Sequence, residues 1–221
     1  MFLCCLFSAG SNSQSVTTVP PELVIQTGHS SRVNCAVFAP NGAWLATGAA
    51  DNSIRLWDME SGLELRALAG HSNWIRSLAV SRSGEQLASG SNDRTIKIWD
   101  VSSGRELLSL TGHTGPVESL LFMPDSRLIV SGSADQTIKV WDAGSGRLAQ
   151  TLLGHATAVG ALAVSPDGKY LGSGGADGSI RIEHRKRMVR VQARRARRAD
   201  ARGVRRPAAV GGGALPKFRD I

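Results

Sequence analysis

Gly70–Asp100 reads GHSNWIRSLAVSRSGEQLASGSNDRTIKIWD, and the fold follows from this stretch. It opens on Gly-His, closes on Trp-Asp and carries three short apolar runs between them. The same design stands 42 residues earlier, from Gly28-His29 to Trp57-Asp58, and 42 later, from Gly112-His113 to Trp141-Asp142. A fourth copy begins at Gly154-His155 and keeps the pattern to Ile182, after which Glu183-His184 occupies the place of Trp-Asp. Self-similarity at a period of about 40 to 45 residues signals an array of small structural units.

Within the second copy, Trp74–Val80, Gln86–Gly90 and Thr95–Trp99 are rich in β-branched, aromatic and aliphatic residues. Turn residues separate them, Ser83-Gly84 and then Asn92-Asp93, so each run reads as a strand. A fourth run, Glu106–Leu110, leads into the next Gly-His. The connections are too short for crossover helices, which makes the pairing antiparallel. A lone four-stranded sheet exposes two apolar faces, and radial stacking of copies buries them, as in a β-propeller.

One set of residues recurs in register: His29, His71, His113 and His155; Asp51, Asp93, Asp135 and Asp177 at the turn before the third strand; Thr47, Ser89, Ser131 and Ser173 four residues before each aspartate; and Trp57, Trp99 and Trp141 six after it, with Glu183 in the last copy. On these residues the chain resembles the WD-repeat β-propeller family over Gly28–Ile182. The resemblance implies about four blades of four antiparallel strands, each tied by an Asp–His–Ser/Thr–Trp tetrad of hydrogen bonds. Buried polar groups need such partners. Serine, histidine and aspartate are also the parts of a nucleophilic triad. One constellation repeated at a fixed spacing with tryptophan as its fourth member reads instead as architecture.

Residues 1–20 lie outside the array and read as a disordered leader, followed by blades over 21–183 and a basic tail over 184–221. Phe2–Phe7 is too short an apolar run for a signal core or a membrane span. Cys4-Cys5 is a loose match to a lipid acceptor. Glu22–Thr27 (ELVIQT) occupies the place of a blade's outermost strand, and the fourth copy lacks one of its own. Pairing of Leu23–Ile25 with Ile180–Ile182 would close a small four-bladed ring. An open or incomplete ring is the other expectation, with apolar faces and strand edges free for self-association.

Loops vary where strands do not, and function concentrates there. The loops entering the first strands read HSSRV, HSNWI, HTGPV and HATAV. Arg32, Trp74, Arg76 and Glu118 are their unusual members and the candidate partner-binding residues. Tryptophan and arginine anchor interfaces; packing within the blades for Trp74, and plain solvation for the arginines, are the competing readings.

After Ile182 the composition changes. Residues 1–184 hold 13 Lys+Arg against 16 Asp+Glu, whereas residues 185–221 hold 13 against 2, so the formal net charge of +8 comes from the tail. Its run Arg185–Arg202 has no Gly or Pro and allows a helix, opposed by like-charge repulsion; beyond Gly203 coil is expected. The tail reads in three ways. It is a basic arm whose Arg194, Arg195, Arg197 and Arg198 meet nucleic-acid phosphates, an inert extension, or an out-of-frame stretch on a truncated WD-repeat protein. Arg, Ala, Gly, Pro and Val, types that GC-rich codons give in any frame, make up 28 of its 37 residues.

No phosphate loop, dinucleotide fingerprint or zinc helix is legible, and the three cysteines give neither a disulfide framework nor zinc spacing. No cofactor, metal or catalytic residue is therefore expected. The expected function is a non-enzymatic scaffold for protein partners in the cytoplasm, with the nucleus as the alternative compartment. A nucleic-acid-associated protein working through its arm is the alternative function.

Overall fold

The computed structural model describes residues 28–185, which form four antiparallel sheets. The first blade runs β1 (Val33–Phe38), β2 (Trp44–Ala49), β3 (Ile54–Asp58) and β4 (Glu64–Leu68) in sequence order. The second repeats this as β5 (Ile75–Val80), β6 (Gln86–Ser91), β7 (Ile96–Asp100) and β8 (Glu106–Leu110). In the third, β9 (Val117–Phe122), β10 (Leu128–Ser133), β11 (Ile138–Asp142) and β12 (Leu148–Leu152) follow the same meander. The fourth has three described strands, β13 (Val159–Val164), β14 (Tyr170–Gly175) and β15 (Ile180–His184).

Strand limits differ from the sequence reading by one residue, for identifiable reasons. Trp74 precedes β5 because its amide is bonded to Asn73 Oδ1 and its carbonyl accepts from the Asn92 amide, outside the ladder. Thr95 precedes β7 because its amide and hydroxyl both donate to Asp93 Oδ1. The turn between them places Arg94 at φ 72°, as its counterparts Asn52 and Gln136 stand at 68° and 69°. In the fourth blade Gly178 takes that left-handed position without strain.

The core lies between blades, not inside them. One cluster joins Ala46, Ile54, Leu56 and Leu68 of the first blade to Ile75, Leu87 and Trp99 of the second. The next joins Ile96, Ile98 and Leu110 to Val117, Ile129 and Trp141, and a third joins Val130, Ile138 and Val140 to Val159 and Leu171. Each fully buried Ile or Leu contributes about 1.5–3 kcal/mol. Stacking of consecutive blades is therefore what makes each stable.

Glycine in the second strand of a blade lets the next blade approach. A Cβ on Gly48 would lie 2.5 Å from Ile75 Cγ2, and one on Gly90 2.6 Å from Val117 Cγ1. At Gly132 the Val159 methyl would be 2.8 Å away. The first strands of successive blades, β1, β5, β9 and β13, stand side by side in that order. The leader over 1–20, the strand expected at Glu22–Thr27 and the tail beyond Arg185 lie outside the described residues, as do Arg194, Arg195, Arg197 and Arg198.

Candidate functional site

In the second blade the Trp99 indole donates to Ser89 Oγ at 2.8 Å, and Ser89 Oγ lies 2.8 Å from His71 Nε2. The hydroxyl's hydrogen then goes to the ring, whose Nδ1–H donates to Asp93 Oδ2 at 2.7 Å. The third blade repeats these contacts through Trp141, Ser131, His113 and Asp135 at 2.8, 2.8 and 2.7 Å. In the first, Trp57 and His29 Nε2 each meet Thr47 Oγ1 at 2.8 Å, and His29 Nδ1 lies 3.0 Å from Asp51.

Sequence reading missed a fifth member, the hydroxyl two residues after each aspartate. Ser53, Thr95 and Thr137 donate to their aspartates at 2.7 Å. Its 42-residue periodicity was the available signal.

The fourth blade departs from the expected tetrad. His155 Nε2 meets Ser173 Oγ at 2.8 Å, but Nδ1 faces Ser179 Oγ at 3.0 Å, and Asp177 is not its partner. Asp177 is exposed, so water solvates its carboxylate and nothing forces it onto the ring. Glu183 sits opposite Leu171, in the register held by Trp57, Trp99 and Trp141, and supplies no indole donor.

These groups are built to stay closed. Ser89 and Ser131 are fully buried, and each hydroxyl oxygen is occupied by an indole N–H. A nucleophile would need access to substrate. Burial pushes the pKa of His71 and His113 below the ordinary 6.5, against the raising influence of Asp93 and Asp135. Burial alone would raise the Asp51 and Asp135 carboxyls. Hydrogen bonds from Ser53, Ser30 and His29 on the one, and from Thr137, His113 and Thr114 on the other, hold both at about 2.

Both shifts make acid destabilising. Below about pH 6.5 the unfolded chain binds protons that the two buried imidazoles refuse, so their contribution is whole above that pH and falls as the pH drops. The carboxylates add a second loss between the ordinary 3.8 and about 2. Thermal melting from pH 8 to pH 3 is expected to show the melting temperature falling from about pH 6.5 downward. A rise between pH 7 and 5 would mean that the imidazoles gain charge on folding.

The candidate partner-binding residues converge on one rim. Trp74 is 41% exposed, with the guanidinium carbons of Arg32 and Arg76 each 5.9 Å from its ring centroid. Arg32 comes from the first blade and Arg76 from the second. Arg76 Nη2 also lies 3.8 Å from Glu118 Oε1 on the third, so the four residues cross three blades. Asn34, and Asn92, which sequence reading took only as a turn residue, orient the arginines by accepting from Nε at 3.0 and 2.7 Å. Asn34 also donates to the Ile75 carbonyl at 2.8 Å, tying the rim across the first junction. Arg32 has no ion pair with a described residue, and Glu118 balances only one of the two guanidinium charges. The result is an indole platform edged by cations, able to take an apolar side chain and an acceptor together.

Among the described residues, no group of His, Cys, Asp or Glu could hold a metal ion. No helix there is long and apolar enough to cross a membrane.

Residues 11–183 match the family described as the WDR3 first beta-propeller domain. WD repeat-containing protein 36 of Homo sapiens is 38% identical over 52 residues, 23% of this chain and 6% of that protein. The crystal structure of RRP9 WD40 repeats superposes with a TM-score of 0.67 at 34% identity, covering 70% of this chain and 48% of that one. The chain thus spans about half the length of that solved relative and a small part of the curated one. With the repeats, the four sheets and the family match over most of its length, the chain belongs to the WD-repeat (WD40) β-propeller family.

Proposed function

We propose that the chain is a non-enzymatic scaffold that docks a protein partner on the rim formed by Arg32, Trp74, Arg76 and Glu118. The family is commonly a protein-interaction scaffold, which supports the general reading. The observation that carries the finer one is Trp74, a large indole left exposed between two arginines contributed by different blades. The reading places the chain in a reducing compartment, the cytoplasm or the nucleus. Burial pushes the Cys35 thiol up to about 12, against a hydrogen bond to the Gly48 backbone, so the one described cysteine is unreactive there.

Affinity capture from native extract with the parent chain, and with Trp74→Ala, tests the rim. Partners held there are expected to bind at least about tenfold more weakly to the variant, the loss of a single anchor. The exposed Arg105→Ala serves as control and is expected to change nothing. Capture indifferent to Trp74 would end this reading.

A second reading rests on the charge of residues 185–221, 13 basic against 2 acidic. Under it, a DNA or RNA duplex binds with steep salt dependence that vanishes on deletion of those residues. Binding that survives the deletion would refute an arm-based contact.

A further inference from the structure

The three junctions inside the chain are copies of one interface, and the two outer faces are its unmated halves. At each internal junction the first residue of a blade's first strand, Ile75, Val117 or Val159, is 0% exposed. Each presses on a glycine of the preceding blade, Gly48, Gly90 or Gly132. Around that contact Ile54 and Leu56, Ile96 and Ile98, and Ile138 and Val140 are buried under the next blade.

The first blade carries the protruding half, and no described residue receives it. Val33, the counterpart of Ile75, is 48% exposed, while Trp57 and Leu45 are half-buried where Trp99 and Leu87 are buried. The fourth blade carries the receiving half, and no described residue fills it. Ile180 and Ile182, the counterparts of Ile54 and Leu56, are 80% and 71% exposed. At Gly174, the counterpart of Gly48, a Cβ would meet nothing nearer than Ala161 at 3.5 Å. These two faces do not cover each other within one chain, since both are exposed in it.

We infer that the outer faces are covered by a second copy of this chain, head to tail, the first blade of each packing on the fourth blade of the other. The occupant follows from the repeat itself, because the surface that fits the fourth blade is one this chain builds three times and then presents once more. One two-fold axis satisfies both junctions at once and closes a ring of eight blades.

Light scattering on the full chain at moderate salt, over a wide concentration range, tests the pair. The parent is expected at the mass of two chains. Ile182→Glu and Val33→Glu are each expected at the mass of one, with unchanged circular dichroism, since both positions are exposed in the single chain. Mixing the two variants is expected to restore the two-chain mass, because an intact first-blade face then meets an intact fourth-blade face. A one-chain parent at every concentration would overturn the inference. So would a pair indifferent to both substitutions, or a mass that keeps growing with concentration.

Discussion

Trp99→Ala is expected to lower the free energy of unfolding by about 3–5 kcal/mol, the range for truncating a large buried aromatic. The indole is 2% exposed and packs on Ala46, Ile54, Leu56 and Leu68 of the preceding blade, so its loss leaves a cavity in the first junction. It also strips Ser89 Oγ of its donor and removes the ring that stands edge-on to His71, centroids 6.3 Å apart. Trp57 makes the same hydrogen bond to Thr47 but lies half-buried on a face that no described blade covers. Trp57→Ala is therefore expected to cost clearly less. Urea unfolding of both variants in the Ile182→Glu background, where the outer faces stay uncovered, makes the comparison. Equal losses would show that the tetrad hydrogen bond, and not burial between blades, carries the stability.

Gly90→Val is expected to cost about 3 kcal/mol, at the upper end for overpacking a filled interior. The first atom added would lie 2.7 Å from Ser77 Oγ on the paired strand of its own blade and 2.6 Å from Val117 Cγ1 on the third blade, which cannot retreat without parting the second and third blades. Gly174→Val occupies the same place in the fourth blade, where nothing presses on it. In the same background it is expected to change stability by no more than about 0.5 kcal/mol. If the two variants melt together, the glycine is a feature of the strand and not of the junction.

Much of this protein was legible because its constraints are local and repeated. A 42-residue period with Gly-His and Trp-Asp at its ends specifies four strands and their turns, since the same short-range chemistry recurs wherever the residues do. His71, Ser89, Asp93 and Trp99 could be picked out before any coordinates, as buried polar groups kept in step. Asp177 could not be placed on its histidine that way, because whether a carboxylate clings to a donor or to water depends on burial of the turn. The fifth hydroxyl, at Ser53, Thr95, Thr137 and Ser179, was equally periodic but acquires meaning only once the turn folds it back.

Sequence by itself determined the all-β architecture, the blade count and the identity of the unusual rim residues. Tertiary structure alone decided that Arg32, Trp74, Arg76 and Glu118 form one surface, because they sit on three blades and meet only through the angle at which those blades stack. It also decided which of several equivalent residues are covered. Ile54 and Ile180 occupy the same place in the repeat, yet one is buried and the other bare, because burial belongs to the neighbouring blade and not to the residue's own strand.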